Sequence, residues 1–293
     1  MLISACLIAY NEERVIERCL ASLDGVVDEI LVLHDGPCAD ATLEIARRHG
    51  ATVSEEPRVG HMERHAVTAY ARAKGDWILA IDADEFLSDE LRDQLRGLCE
   101  KPGAPNGYEL LWPRWDGTRY VSMKSPHKRC LFRRDKVHLA GYVHAPRLVD
   151  PPVERLDLLL EHRPLYNNFT PRVMLSKWRR WARIQAGEML TPLAEIPAYN
   201  LPEDRAWPRR RELFNRVAPL VLPLYALATF VVDFRKSLGP DTPAREAAQT
   251  ALYSTAYATM LQLYIGKLLY LKAPRRRSPI ARSAGSSTDT PPT

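Results

Sequence analysis

GDWILAIDADE, residues 75–85, is the stretch of sequence that decides the fold. Its apolar run WILAI has the length and composition of a buried parallel strand. The run ends in two carboxylates, Asp82 and Asp84, with Glu85 directly behind them. Ligands of open α/β sheets bind outside the carboxyl ends of the strands, where acids can hold a hard divalent cation. We therefore expect a metal site at this edge, since Ser88 is the better cap for the helix that follows.

This strand is the fourth of a regular series. Upstream of it, apolar runs of strand length alternate with segments of helical periodicity, in the order 2–10, 12–23, 29–33, 41–49, 51–54 and 62–73. Strands that alternate with helices in this way predict a parallel α/β sheet with right-handed crossovers. The sequence contains neither a G-x-G-x-x-G after the first strand nor a G-x-x-x-x-G-K-[ST], so two large classes of nucleotide-binding protein are disfavoured.

The pattern changes after the turn-rich segment 101–107. Strand-like segments then follow with few helices between them, at 108–112, 128–132, 139–143 and 156–160. We expect them to extend the sheet as a mixed half and to build one wall of a cleft. The predicted domains are an α/β domain at 1–165, a helical region at 166–272 and a Ser/Thr/Pro-rich disordered tail at 273–293.

Composition and charge narrow the class of protein. The chain has 293 residues, 46% hydrophobic and 26% charged, which is ordinary for a folded soluble protein. The net charge is +5, and the basic residues lack interleaved aromatics on a sheet face, so nucleic acid is not the expected partner. Five cysteines without C-x-x-C spacing indicate a reducing compartment, and no secretory signal pattern is present. We therefore expect a cytoplasmic protein.

Two uncharged segments lie in the helical region, at 217–232 and 247–266. The first is short for a membrane span and broken by proline, and the second is rich in Tyr, Thr, Ser and Gln. Basic clusters flank both, at 209–211, 235–236 and 267–277. Interfacial helices on an anionic bilayer fit this arrangement, and so do the core helices of a helical subdomain. The first alternative predicts a membrane contact through residues 209–277, peripheral at the inner face of the cell membrane.

Several motifs in a fixed order resemble the family 2 glycosyltransferases of the GT-A fold. They are SACLIAYNEERVIERCLASL, HDGPCADAT, Arg64 and AKGDWILAIDADE, and the resemblance covers residues 1–165. A weaker resemblance, to the lipopolysaccharide-core type of glucosyltransferase, continues in GYVHAPRL and in LLLEH ending at His162. The resemblance implies a nucleotide-sugar donor, first of all a UDP-sugar, and a Mn²⁺ or Mg²⁺ ion. It also implies a glycan or lipid-linked acceptor in cell-envelope polysaccharide synthesis.

The same resemblance assigns residues to the donor site. Carried over by motif, the nucleotide-sugar site consists of Asn11, Glu12, Asp35, Asp40, Arg64 and Asp82. In that set Asp35 is the partner of the base, Asp40 supports its loop, and Arg64 approaches the nucleotide. Asp82 and Asp84 match the Asp-x-Asp pair that holds the ribose and the metal-bound diphosphate. The resemblance therefore implies that the diphosphate lies next to the end of the fourth strand.

The family pattern does not identify a general base in this chain. Relatives often have Val-His-Glu where this chain has Val143-His144-Ala145, and an alanine cannot take a proton. A base must lie within about 2.6–3.2 Å of the acceptor hydroxyl, and His144 is the first candidate. His144 could equally be a third metal ligand beside Asp82 and Asp84, or a hydrogen-bonded structural residue. The rival bases are Glu85, Asp116 and Glu154.

Two other functions are compatible with the sequence. A sugar nucleotidyltransferase would have a glycine-rich basic loop after the first strand, where this chain has Tyr10-Asn11-Glu12-Glu13. A nucleotide-sugar-binding relative without catalysis is compatible with Ala145. Turnover of the donor with Mn²⁺ present separates the alternatives, because a binding protein shows affinity without turnover. A metal-dependent, inverting glycosyltransferase is the principal hypothesis.

Overall fold

An eight-stranded mixed sheet forms the centre of the computed structural model, which describes residues 1–120, 126–167, 170–201, 217–238 and 244–270. The first half of the chain consists of β1 (Ile3–Ala9), α1 (Ile16–Leu23), β2 (Glu29–Asp35), α2 (Thr42–Arg48), β3 (Thr52–Glu56), α3 (Met62–Arg72) and β4 (Trp77–Ala80). The four strands pair in parallel in the order β3-β2-β1-β4. The predicted α/β series is therefore confirmed.

The second half of the chain extends this sheet with strands of mixed direction. Its elements are β5 (Glu85–Leu87), α4 (Asp89–Glu100), β6 (Gly107–Leu111), β7 (His127–Arg133), β8 (Val137–Ala140), β9 (Leu148–Val149) and β10 (Val153–His162). The sheet continues in the order β4-β7-β6-β10-β5, and β7 is antiparallel to both of its neighbours. The predicted mixed half is confirmed. Because β7 lies directly beside β4, its side chains can reach the acids that follow β4.

Three long helices follow the sheet within the residues that the structure describes. They are α5 (Pro171–Leu190), α6 (Leu222–Ser237) and α7 (Ala244–Tyr270), with short 3-10 turns at Leu193–Glu195 and Ala218–Val221. Between α5 and α6, the short strand β11 (Ala198–Tyr199) pairs with β8, which also pairs with β9 in a separate three-stranded sheet. The buried contact between α5 and α7 consists of Ala182, Ala186, Leu261 and Ile265. Because β10 precedes α5 and β11 follows it, the chain is joined to strands of the α/β domain on both sides of this helix.

Both faces of the parallel strands are buried. Leu7 of β1 belongs to one hydrophobic cluster with Leu20 of α1 and Leu91 of α4. Its neighbour Cys6 belongs to the other cluster, with Tyr70 of α3. Successive side chains of a strand point to opposite faces, so a sheet covered on both sides requires continuous apolar runs. This requirement explains the run WILAI in β4.

Two local predictions differ from the structure, and one short strand has no counterpart in the predictions. α1 begins at Ile16 rather than at residue 12, because Asn11 takes a left-handed backbone (φ 52°) and Glu12 N donates to Thr42 Oγ1 (2.6 Å). The strand predicted at 139–143 ends at residue 140 and belongs to the small sheet. The short strand β5, directly after the acids, was not predicted. Ser88 does cap α4, since its Oγ accepts from Leu91 N (3.2 Å).

The low-charge segment Ala218–Arg235 forms a helix and its preceding turn, and 6% of it is buried. Within the described ranges it is the one helical segment that is long and apolar enough, by length and composition, to cross a membrane. The expected tail at 273–293 and the basic cluster at 209–211 lie outside the described residues.

Candidate active site

The acids that follow β4 meet a buried lysine on the neighbouring strand β7. Lys128 Nζ lies 2.7 Å from Asp82 Oδ2, and 2.6 and 2.7 Å from the two carboxylate oxygens of Glu85. Burial disfavours the charge of Asp82, but Lys128 and Arg147 outweigh burial and hold the pKa of Asp82 below its ordinary value. Asp82 is therefore a charged carboxylate with one oxygen already engaged by the protein.

Glu85 is a structural acid. Its side chain is completely buried, and its Oε1 accepts a hydrogen bond from Trp112 Nε1 (2.6 Å) while its Oε2 accepts one from Asp82 N (2.9 Å). Burial and the charge of Asp82 raise the pKa of Glu85. A substrate hydroxyl cannot approach a carboxylate with no exposed surface. The interpretation of Glu85 as a candidate base is therefore wrong, and its role is to hold Lys128 and Trp112 in place.

Asp84 lies beside the histidine that ends β10. His162 Nε2 is 3.5 Å from Asp84 Oδ2, and the His162 ring stacks on Trp112 with 4.4 Å between the centroids. Arg163 N donates to Asp84 O (2.9 Å), which fixes the two strand ends relative to each other. His162 Nδ1 is buried and makes no hydrogen bond to any residue that the structure describes. A carboxylate and an imidazole side by side are suitable ligands for a divalent cation.

The predicted metal set of Asp82, Asp84 and His144 is not assembled. Within the part of the chain that the structure describes, no three His, Cys, Asp or Glu side chains are grouped so that they could hold a metal ion. Asp82 is engaged by Lys128, and His144 lies in the loop after β8. The inclusion of His144 is wrong because β8 belongs to the small sheet, whereas β10 brings a different histidine, His162, to the acids.

A cleft of about 360 Å³ lies at the ends of β1 and β2. The predicted residues that line it are Glu12, Asp35 and His144, and they are joined by Glu63, Arg180 and Trp181. Burial, followed by the charges of Asp84 and Asp40, raises the pKa of Glu12 to about 7. Glu12 in the cleft wall is therefore within electrostatic range of Asp84, which follows β4.

Asp35 is held at the cleft wall by a dense set of donors. Its Oδ1 accepts from Val59 N (2.7 Å) and from His65 Nε2 (2.9 Å), and its Oδ2 accepts from Gly60 N (2.9 Å). Burial opposes the charge of Asp35, but these donors outweigh burial and lower its pKa. Asp35 thus presents a fixed, ionised carboxylate to the cleft. Its contact with a nucleotide base stays a prediction.

Asn11 and Asp40 brace the loops at the ends of β1 and β2. Asn11 Oδ1 accepts from Ala39 N (3.0 Å), and Asp40 accepts from Thr42 N (2.9 Å) and from Glu13 N (3.2 Å). The bonds from Ala39 N and Glu13 N cross between the two loops, so both side chains support the shape of the cleft. Direct contact of Asn11 or Asp40 with a donor stays a prediction.

Three arginines surround the cleft and the acid edge. Arg64 is directed to Glu188 of α5, with 3.7 Å between Nη2 and Oε1, and its approach to the nucleotide stays a prediction. Arg180 of α5 lines the cleft itself. Arg147 Nε donates to Tyr70 OH (2.9 Å), and its charge helps to lower the pKa of Asp82. Of these cations, Arg180 is the one that lines the cleft, whereas Arg147 acts on the acid edge.

His144 occupies a constrained position in the cleft. Its backbone is left-handed (φ 58°), and its N–H donates to Glu63 Oε1 (2.7 Å). Its ring packs edge-on against Trp181 and is tilted against Tyr257, with centroid distances of 5.3 and 5.2 Å. Burial lowers the pKa of His144. A lowered pKa favours the neutral imidazole, which is the form that can take a proton.

The rival bases Asp116 and Glu154 lie in unsuitable places. Asp116 accepts from the backbone N–H groups of Thr118 and Arg119 (2.9 Å each), which is a turn-forming role. Glu154 is exposed near the start of β10, eight residues before His162. At about 3.3 Å per residue, that separation is roughly 26 Å. Neither carboxylate belongs to the residues that line the cleft.

Sequence comparison matches residues 4–138 to the family described as glycosyl transferase family 2. The matched span holds the four parallel strands, Asp35 and the acids that follow β4. Residues 4–138 are a family 2 glycosyltransferase domain. The remaining part of the cleft wall, including His144 and Arg180, lies outside the matched span of this glycosyltransferase domain.

Relatives of the glycosyltransferase domain come from several bacteria. An uncharacterized glycosyltransferase of Rickettsia bellii is 42% identical over 93 residues, which are 32% of this chain and 31% of that protein. Another, of Rickettsia typhi, is 39% identical over 132 residues, 44% of each chain. The chain spans less than half the length of these curated relatives. Among solved structures, that of S. aureus TarS in complex with UDP-GlcNAc is 15% identical in sequence to this chain and gives a TM-score of 0.43. The match covers 92% of this chain and 91% of that chain.

Four residues around the glycosyltransferase domain were missed by the sequence analysis as site residues: Lys128, Arg147, His162 and Glu188. Only two of them carried a usable signal. His162 ends an apolar strand in LLLEH, and Arg147 follows the histidine in GYVHAPRL. Lys128 and Glu188 lie on a strand and a helix whose pairing with the site depends on the three-dimensional fold.

Proposed function

We propose that this protein is a glycosyltransferase that moves a sugar from a nucleotide-sugar donor, first of all a UDP-sugar, to a hydroxyl of a glycan or lipid-linked acceptor. One observation carries the proposal: the parallel strands β1, β2 and β4 end at one edge of the sheet, which holds Asp84 beside His162 and a cleft lined by Asp35. A nucleoside diphosphate has a flat base at one end and a charged diphosphate at the other. Asp35 suits the base, and the acid edge with a bound cation suits the diphosphate.

Asp84 and His162 are the residues that would hold a Mn²⁺ or Mg²⁺ ion, with phosphate oxygens and water as the remaining ligands. A bound ion supplies a Lewis acid that offsets the charge of the departing diphosphate. Lys128 keeps Asp82 ionised and fixed, so that its carboxylate can accept hydrogen bonds from the ribose hydroxyls of the donor. Asp35 takes the base at the other end of the cleft.

The neutral imidazole of His144 takes the proton from the acceptor hydroxyl. The acceptor oxygen then forms a bond to the anomeric carbon of the sugar, and the bond from that carbon to the diphosphate breaks. The electron pair of the broken bond leaves with the nucleoside diphosphate. A single displacement inverts the anomeric carbon, and the enclosing walls of the cleft supply the alignment on which its rate depends.

The C-terminal helices support a membrane location for the acceptor. Leu220, Leu224 and Leu227 share one face of α6 and its preceding turn, and 68%, 70% and 62% of their surfaces are exposed. Exposed cations lie near the ends of α6 and α7: Arg235, Arg245 and Lys267. An apolar face flanked by cations suits an anionic bilayer interface. A peripheral position at the inner face of the cell membrane, in cell-envelope polysaccharide synthesis, fits this surface.

Thermal stabilisation and donor turnover test the proposal together. We expect UDP-sugars, screened against GDP- and dTDP-sugars with Mn²⁺, to raise the melting temperature and to be turned over. Asp84→Asn should remove both effects, whereas Asp116→Asn, in a turn outside the cleft, should retain them. Undiminished stabilisation and turnover in Asp84→Asn would overturn the proposal. Stabilisation of the wild type without turnover would instead identify a nucleotide-sugar-binding protein.

A further inference from the structure

Glu188, near the C-terminal end of α5, contacts three parts of the α/β domain. Its Oε2 accepts a hydrogen bond from Val143 N (2.8 Å), in the loop after β8. Its Oε1 lies 2.9 Å from His61 Nε2, just before α3, and 3.7 Å from Arg64 Nη2 within α3. Only 14% of the Glu188 side chain is exposed. A carboxylate from the helical region therefore joins two walls of the cleft.

Glu63 makes a second, parallel connection. Its Oε1 accepts from His144 N (2.7 Å), and its Oε2 lies 3.1 Å from His61 Nδ1. Two successive peptide N–H groups, those of Val143 and His144, are thus held by two different carboxylates. His61, whose side chain is 2% exposed, lies between these carboxylates with one ring nitrogen facing each.

This arrangement matches the demands of the His144 backbone. A histidine at φ 58° is in a conformation that L residues seldom adopt without support from the surrounding structure. Two buried carboxylates close together repel each other unless a cation lies between them. An imidazolium at His61 supplies that charge: its Nδ1 hydrogen-bonds Glu63 (3.1 Å), and its Nε2 makes an ion contact with Glu188 (2.9 Å). The cluster therefore fixes the peptide of His144, and with it the direction in which the imidazole enters the cleft.

We propose that Glu188 is a positioning residue for His144, so that the helical region supplies a part of the catalytic site. This inference rests on the proposed role of His144 as the base. It goes beyond that role because Glu188 itself touches no reacting atom. Through the orientation of the His144 ring, Glu188 would affect the turnover rate. It would not affect the affinity for the donor, because the nucleotide base of the donor is expected at Asp35.

Two substitutions of Glu188 in the full-length chain test the inference. Glu188→Gln keeps an oxygen that can accept from Val143 N but removes the charge facing His61, and Glu188→Ala removes both. Glu195→Gln, on an exposed 3-10 turn five residues beyond α5, is the matched control. The measurements are kcat and KM for the UDP-sugar that stabilises the wild type most, and the NMR titration of the His144 ring without any ligand.

For Glu188→Ala we expect kcat to fall at least tenfold, with KM for the donor within twofold of wild type and a displaced His144 titration. Glu188→Gln should have an intermediate kcat, and Glu195→Gln should match the wild type. If Glu188→Ala does not fold, Glu188→Gln and its His144 titration decide the question. An unchanged His144 titration and kcat in the folded variants would overturn the inference. Full turnover in His144→Ala would instead refute the proposed base, so the two failures are distinguishable.

Discussion

Arg180 of α5 donates a hydrogen bond from Nη2 to the carbonyl oxygen of Gly60, with 3.2 Å between the two atoms. Gly60 has a φ of +87°, and a Cβ at this position would lie 2.8 Å from Arg180 Nη2. The N–H of the same glycine donates to Asp35 Oδ2 (2.9 Å). One residue of left-handed backbone therefore connects the helical region to the acid at the end of β2.

Gly60→Ala should weaken donor binding as well as stability. An alanine with positive φ costs about 1–2 kcal/mol, and its Cβ must displace either Arg180 or the peptide that donates to Asp35. Gly50→Ala is the matched control, because Gly50 has a φ of +73° and no atom lies within 4 Å of the added Cβ. Urea unfolding should show a loss for both variants. The Kd for a UDP-sugar should rise only for Gly60→Ala, by about tenfold, and equal affinities would contradict this expectation.

Lys128→Met should destabilise the protein strongly. Removal of one partner from a buried ion pair leaves uncompensated charge, at a cost of about 3–5 kcal/mol, and here both Asp82 and Glu85 lose their cation. Lys74→Met is the control, because 84% of the Lys74 side chain is exposed. The measurement is the free energy of unfolding in urea at pH 7. A loss no larger than that of the control would mean that Lys128 is dispensable for the acid edge.

The contribution of His61 to stability should decrease at high pH. Burial disfavours its charge, but Glu188 and Glu63 outweigh burial and raise the pKa of His61 to about 9. Because this value is above the pKa of about 6.5 of an unfolded histidine, the stabilisation is complete below about pH 6.5 and is lost as the pH rises through about 9.

Unfolding of the wild type and of His61→Gln across pH 6 to 10 checks this expectation. The difference in free energy between the two proteins should be on the order of 3 kcal/mol at the acid end and should vanish at the alkaline end. His49→Gln, in which the lost ring lies beside Glu17 near the surface, controls for the loss of a histidine. A difference that is constant with pH would show that His61 is neutral in the folded protein.

The double variant Leu224→Glu/Leu227→Glu should lose affinity for membranes. Two carboxylates on the exposed face of α6 oppose both the apolar contact and the attraction to anionic lipids. Leu165→Glu is the matched control, since Leu165 is 49% exposed and lies outside the helices. Co-sedimentation with phosphatidylglycerol vesicles should fall at least tenfold for the double variant alone. Binding equal to that of the wild type would show that this face does not contact lipid.

The parallel half of the sheet was predictable because its strands are buried on both faces. That burial forces continuous apolar runs such as WILAI, and helices of regular period separate them. The polar residues at the strand ends were predictable for a related reason. Parallel strands point the same way, so Asp35 and Asp84 had to emerge at one edge of the sheet.

Contacts that join distant segments could not be predicted in the same way. Lys128 reaches Asp82 because β7 inserts beside β4, and no local pattern sets that strand order. The metal set failed at His144 because an apolar run predicts a strand without specifying which sheet it joins. Glu188 is the single acid on a helix whose other charges are Lys and Arg, but only the packing of α5 against the cleft shows which groups it contacts.

The strand β11 has a consequence for the wall of the cleft. It pairs with β8 after α5, while β10 joins the sheet before α5. The helix is thus attached to the strands at both of its ends. The pairing of β11 with β8 therefore helps to set where Arg180 and Trp181 of α5 stand in the cleft.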